Sequence, residues 1–209
     1  MKELQRSTTR GEGLLEGFLS RKRAERANRL IPKTLRKGRV LDIGCGSFPY
    51  FLTGTVFSER YGLDKGIGEE LKDEFLKDHK VILVDCDLEY GRHIPFEDGF
   101  FDVVTMLAVL EHLLPGSLPA IISETKRILK PGGVFILTTP APWTEGLLKF
   151  LALVKMVSNE EIEEHKSQYS KKQICALLEE GGFEREKIEV GSFECLMNIW
   201  ARAKKEKME

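Results

Sequence analysis

The stretch VLDIGCGSFPYF, residues 40–51, decides the fold. It reads as a short apolar strand running into a glycine turn, with Gly44 and Gly46 at the point where backbone must approach a ligand closely. Working outward, Leu14, Leu15, Phe18, Leu19, Ala27, Leu30 and Ile31 recur at helical spacing around a basic RKR at 21–23, and Pro32 closes that helical region. The first strand is then RVLDIG, 39–44, and the second ERYGLD, 59–64, followed by a charged helix over 68–78. A third strand, VILVDCD at 81–87, leaves through the polar, proline-containing LEYGRHIPFEDG toward a fourth within 101–108. Residues 117–130 place Ile121, Ile122, Thr125, Ile128 and Leu129 on one helical face, KPGG at 130–133 stops that helix in a turn, and VFILTTP is a fifth strand. An apolar helix is expected over 146–157 and a last one over 170–182, before two β-rich stretches at 183–193 and 195–203.

Strands alternating with helices in this way predict a doubly wound, mostly parallel α/β sheet of seven strands. The last two strands arrive without an intervening helix and are expected as an antiparallel edge pair. A chain of 209 residues most simply makes one domain, here a basic N-terminal helical cap (1–38) on a core (39–209). With 42% hydrophobic and 31% charged residues it has an ordinary globular composition. Charge is uneven: residues 1–39 hold 12 Lys/Arg against 4 Asp/Glu, while the chain as a whole is at −1. The four cysteines are scattered, with no CxxC and no histidine at zinc-ligand spacing, so a reducing, cytoplasmic setting and no metal are expected. No transmembrane segment is expected either, since no run approaches about 18 uninterrupted apolar residues.

In such sheets ligands bind outside the carboxyl ends of the strands, at the topological switch point. The dinucleotide fingerprint would need glycine where Pro49 stands, and proline removes an N–H from any phosphate cradle. Asp42, at the base of the turn, would repel a pyrophosphate and attract a cation. Asp64 ends the second strand, where a carboxylate can accept from both ribose hydroxyls. Asp87 ends the third, where it can accept from an exocyclic amine while Leu88 covers an adenine face. Asp85 lies on the same strand face, so spacing alone does not choose between it and Asp87. Adenine, ribose, no phosphate and a positive amino-bearing tail together describe S-adenosylmethionine.

VLDIGCG (40–46), YGLDK (61–65), DLEYGRHIPFEDGFFDVV (87–104), LAVLEHL (107–113), RILKPGGVFILTTP (127–140) and LLEEGGF (177–183) occur in one order. With them the chain resembles the class I S-adenosylmethionine-dependent methyltransferases, of the broad small-molecule type, whose fold is Rossmann-like. The resemblance implies Gly44, Cys45 and Gly46 against the methionine portion, with Asp42 supporting that turn or the amino group. It implies Asp64, beside Lys65, for the ribose, and Asp87 with Leu88 for the adenine. It brings backbone of Leu107 and Ala108, and His112, near the methionine tail. Phe48-Pro49 departs from the pattern, where many members have another glycine, and Tyr50 is expected to turn toward the cofactor as a result. S-adenosylhomocysteine would be the product.

Methyl transfer from a sulfonium needs a general base only where the nucleophile must lose a proton. The candidates for contact with the acceptor are Glu111 and His112, after the fourth strand, and His165 and Tyr169, before the last helix. A small, unidentified acceptor is expected. The alternatives are an RNA- or ribosome-directed enzyme using the basic N-terminal arm, and a non-catalytic cofactor-binding protein. An NAD-dependent oxidoreductase is disfavoured by Pro49 and by the second aspartate.

Overall fold

The computed structural model describes residues 16–89, 93–144 and 167–207. The expected helix over 146–157 and the candidate His165 lie outside them. Strands β1 (Arg39–Ile43), β2 (Glu59–Asp64), β3 (Val81–Asp85), β4 (Phe101–Leu107), β5 (Leu129–Pro140), β6 (Ile188–Phe193) and β7 (Asn198–Lys204) form one sheet in the order β3-β2-β1-β4-β5-β7-β6. The pairs β1–β2, β2–β3, β1–β4 and β4–β5 are parallel, whereas β7 runs antiparallel to both β5 and β6. The doubly wound sheet with its antiparallel edge is therefore as the alternation of elements implies. Strand order reverses between β1 and β4, which fixes the crevice at their carboxyl ends.

Both faces of the central strands are buried, which is why they read as near-continuous apolar runs. On one face Leu41, Ile43, Val104, Met106 and Leu137 pack with helices α4 (Leu118–Ile128) and α5 (Lys171–Glu180). On the other, Val40, Val103, Val134 and Ile136 pack with α1 (Glu16–Leu30), α2 (Tyr50–Thr53) and α3 (Glu69–His79). α1 contributes the small buried residues Ala24 and Ala27, with Ile31 beyond its end. The basic helix is thus part of this layer as well as a charged surface. Asp102 ties the starts of the central strands together, accepting from the Arg39 N–H at 2.9 Å and from Lys130 at 2.6 Å.

Two local features differ from expectation. KPGG does not separate helix from strand. Phe101 pairs Leu129 and Val103 next pairs Val134, so residues 130–133 form a bulge within β5, with Gly132 at φ 81°. β3 ends at Asp85, two residues early, because the Asp85 carboxylate turns back to the β2 exit and accepts from the N–H groups of Gly66 (2.7 Å) and Ile67 (3.3 Å). The start of α5 follows its sequence signal: Ser170 and Gln173 form a reciprocal capping box.

Candidate functional site

The turn after β1 is built from left-handed backbone, Gly44 at φ 71° and Gly46 at φ 69°. A Cβ on Gly44 would lie 2.3 Å from Val109 Cγ2, so the β1 exit and the β4 exit touch through this residue. The amides of Gly44 and Cys45 donate to the Leu63 carbonyl at 2.7 and 3.3 Å, which ties the turn to β2. Asp64 completes it: its Oδ2 accepts from the Gly46 N–H and its Oδ1 from the Lys65 N–H, both at 2.7 Å. The carboxylate expected at the ribose therefore also shapes the glycine turn.

Asp42, expected to support the turn or the amino group, contacts β4 in the structure. It is buried, and its Oδ1 accepts from the Thr105 hydroxyl at 2.6 Å, joining β1 to β4 beneath the turn. Burial pushes its pKa up to about 7, against the lowering effect of the Thr105 bond and with a further rise from the Asp64 charge. The folded chain then keeps a proton that the unfolded chain has released, so this contribution to stability is present at low pH and lost as pH rises through the folded value. Between about pH 4 and 7, unfolding free energy is expected to fall by up to about 1.4 kcal/mol per pH unit from this group. Urea titrations of wild type and Asp42→Asn at pH 5 and 8 measure it. Equal pH dependence in both would contradict it.

Cys45 is buried, and burial raises its thiol pKa further, as suits a small packing residue. Phe48 and Pro49 do not close the turn. Pro49 caps α2, and the Phe48 ring packs edge-on against Phe75 of α3 at 5.7 Å. Tyr50, expected at the cofactor, opens α2 half-buried, with its ring packed against the same apolar layer. Asp87 is half-buried, with Oδ1 accepting from the Glu89 N–H at 2.9 Å, and Leu88 is buried beside it. Asp85 is occupied with the β2 exit loop, which separates the two carboxylates that spacing left equivalent.

At the end of β4, Leu107 is half-buried and Ala108 takes φ 59°, a left-handed conformation uncommon for a residue with a Cβ. The Ala108 amide donates to the Thr138 carbonyl at 2.9 Å, and the reversal sends Val109 over Gly44. A single turn of 3-10 helix, Leu110–His112, follows. Glu111 is buried there, accepting from the Thr139 hydroxyl at 3.0 Å, while its carbonyl accepts from the Ser167 N–H at 3.3 Å. His112, half-buried, sits in the same turn. Tyr169 is buried in the layer of α4 and α5, and its hydroxyl has no hydrogen-bond partner among the described residues.

The structure thus brings the Gly44–Gly46 turn, Asp64, Lys65, Asp87, Leu88, Leu107 and Ala108 to the carboxyl ends of β1–β4, with Asp42 buried beneath the turn. It adds Thr105 and Val109. Thr105 had a signal, a lone hydroxyl within an apolar strand. Val109 had none, because its importance comes from a backbone reversal at an alanine.

The fold and this crevice define a class, and comparison with known proteins agrees. A family model described as a methyltransferase domain matches residues 15–188, and the chain belongs to that family. An uncharacterized methyltransferase of Synechocystis is 31% identical over 110 residues, covering 50% of this chain and 50% of that protein. A sterol 4-C-methyltransferase of Caenorhabditis elegans is 33% identical over 107 residues, covering 46% of this chain and 29% of that protein. The matches thus span half or less of the length of these curated relatives. Among solved structures, a SAM-dependent methyltransferase from Thermotoga maritima superimposes with a TM-score of 0.67 at 17% identity, covering 92% of each chain, which shows the shared fold.

Proposed function

We propose that the protein transfers the methyl group of S-adenosylmethionine to a small acceptor. The observation that carries this reading is the arrangement around Asp64, whose carboxylate ends β2 and at the same time holds the Gly46 amide of the glycine turn. A ribose lying across that carboxylate has its sugar and its tail set by one side chain. The residues fit the cofactor on other counts. Two half-buried carboxylates, Asp64 at the end of β2 and Asp87 just after β3, stand at this end of the sheet, favouring a cationic ligand over a phosphate. The left-handed backbone at Gly44 and Gly46 keeps Cβ atoms out of the turn.

Bound there, S-adenosylmethionine supplies an electrophilic methyl group, taken by the lone pair of the acceptor as the carbon–sulfur bond breaks. What the chain itself contributes is alignment and exclusion of water. Asp64 orients the ribose, Asp87 with Leu88 the adenine, and backbone at Leu107 and Ala108 the tail. Cys45 leaves room at the turn, and Lys65 lies beside the ribose. Glu111, His112 and Tyr169 stand on the acceptor side, with His165 assigned there on sequence alone. Tyr169 is the most informative of them, because its buried hydroxyl finds no partner among the described residues, and such a group is costly unless something else uses it.

Tyr169→Phe is therefore expected to leave the fold as stable or about 1 kcal/mol more stable. It should lower turnover with the true acceptor while leaving S-adenosylhomocysteine affinity unchanged. Screening of acceptor mixtures with radiolabelled S-adenosylmethionine, followed by kinetics of this variant, tests the reading. Cofactor binding with no transfer to any acceptor class would leave a binding protein and contradict enzymatic function. Loss of stability in Tyr169→Phe would remove the acceptor-side role of the hydroxyl.

A further inference from the structure

One surface at the carboxyl end of the sheet has no part in the proposed reaction. β7 runs antiparallel to β5 with Asn198 opposite Pro140, so the turn joining β6 to β7, residues 194–197, stands at the same end as the glycine turn. Leu196, in that turn, is 63% exposed, and Trp143, just beyond β5, is 59% exposed. They are fixed to one another: the Trp143 indole N–H donates to the Leu196 carbonyl at 3.1 Å, and the Ala141 amide to the Met197 carbonyl at 2.8 Å. Glu194, Cys195 and Leu196 hold successive φ values of 52°, 52° and 69°, conformations unfavourable for residues with side chains. The exposed leucine and tryptophan are thus held outward by hydrogen-bonded, strained backbone.

α1 stands against this turn. The Arg26 guanidinium lies 5.3 Å from the Phe193 ring and 6.0 Å from that of Trp200, and the charges of Arg23 and Lys22 act on the Glu194 carboxyl. At the start of the helix Phe18 is 45% exposed, with Arg21 and Lys22 over its ring at 5.6 and 5.5 Å. Among the described residues Arg21 and Lys22 share one carboxylate, Glu25, at 3.9 and 3.3 Å, which leaves positive charge in excess there. Exposed Trp, Leu and Phe among Arg and Lys form the composition of a surface that enters the headgroup region of a bilayer.

We propose that this rim, Trp143, Leu196 and Phe18 with Arg21, Lys22 and Arg23 around them, docks the protein reversibly on an anionic lipid bilayer. The apolar side chains, Leu196 among them, protrude from a turn and a helix end, a shape suited to shallow insertion. The attachment is peripheral: among the described residues no helix is long and apolar enough to cross a membrane. If the reading under the previous heading holds, docking turns the mouth of the site toward the bilayer, and an apolar acceptor enters from the lipid phase.

The test is sedimentation of the full chain with phosphatidylserine–phosphatidylcholine vesicles and with phosphatidylcholine alone, at low and high salt. Neither cofactor nor acceptor is present, so failure here is separable from failure of the methyltransferase reading. Binding to the anionic vesicles that weakens with salt is expected, with loss of roughly tenfold or more in affinity for Trp143→Ser/Leu196→Ser and for Arg21→Glu/Lys22→Glu. Trp143, Leu196 and Arg21 are exposed and Lys22 is half-buried, and melting temperatures check that the variants fold. Quenching of tryptophan emission by brominated lipid in the unaltered protein, abolished in Trp143→Phe, reads insertion independently. Absence of vesicle binding overturns the proposal, as do binding that the variants do not weaken and RNA displacing the protein from vesicles.

Discussion

Asp64→Ala is expected to weaken S-adenosylhomocysteine binding by about a hundredfold while leaving a folded protein. Hydrogen bonds to a charged group contribute about 1.5–3 kcal/mol each, and two ribose hydroxyls meet this carboxylate in the proposed complex. The same substitution releases the Gly46 and Lys65 amides, which the carboxylate holds at 2.7 Å in the ligand-free chain. The turn therefore loses shape as well as a partner. Asp64 is only half-buried and lies at a strand end, so the melting temperature should move by only a few degrees. Asp64→Asn, which retains one carbonyl acceptor, should fall between the two proteins. Calorimetric titration reads the affinities, and an Asp64→Ala affinity within threefold of wild type would remove the residue from the cofactor site.

The second large effect concerns Gly44→Ala. A left-handed φ costs an alanine about 1–2 kcal/mol, and overpacking a filled site about 1–3 kcal/mol more. Here φ is 71° and the new Cβ would lie 2.3 Å from Val109 Cγ2, well inside contact distance. A destabilisation of about 2–5 kcal/mol is expected, on the order of a 10 °C fall in melting temperature for a chain of this size, with loss of cofactor binding. The two causes separate in a double variant. Val109→Ala removes the colliding methyl groups but leaves the backbone strain, so Gly44→Ala/Val109→Ala should recover part of the stability and not all. Full additivity of the two single changes would mean that Gly44 and Val109 do not meet.

These two positions also mark how far the sequence is legible. The sheet, its switch point and its antiparallel edge follow from where apolar runs and glycine turns alternate, because burial on both faces leaves a strong pattern. The place of Asp64 at the end of β2 was readable too, since a strand end is itself a sequence position. What was not readable depends on contacts between distant segments. Asp85 and Asp87 look equivalent along the strand and are separated only by the amides of Gly66 and Ile67 folding back onto Asp85. The bond from Thr105 to Asp42, 63 residues apart, left no mark in the sequence around the turn. Ala108 hides a left-handed backbone behind an ordinary side chain, and the bulge over 130–133 keeps its turn signal while staying inside a strand. Phe48-Pro49 drew attention as a departure at the cofactor loop, and there the Phe48 ring packs edge-on against Phe75 of α3 while Tyr50 packs against the same apolar cluster.

The central claim is that the crevice at the ends of β1–β4 takes an adenosyl ligand without phosphate. Calorimetric titration of the wild-type chain with S-adenosylhomocysteine, with NADH as the control, tests it most directly. The account predicts micromolar-range binding, about −8 kcal/mol, at one site and no heat with NADH. NADH binding in place of S-adenosylhomocysteine would contradict the reading of the loop, and a folded chain that binds neither would contradict the assignment of the crevice.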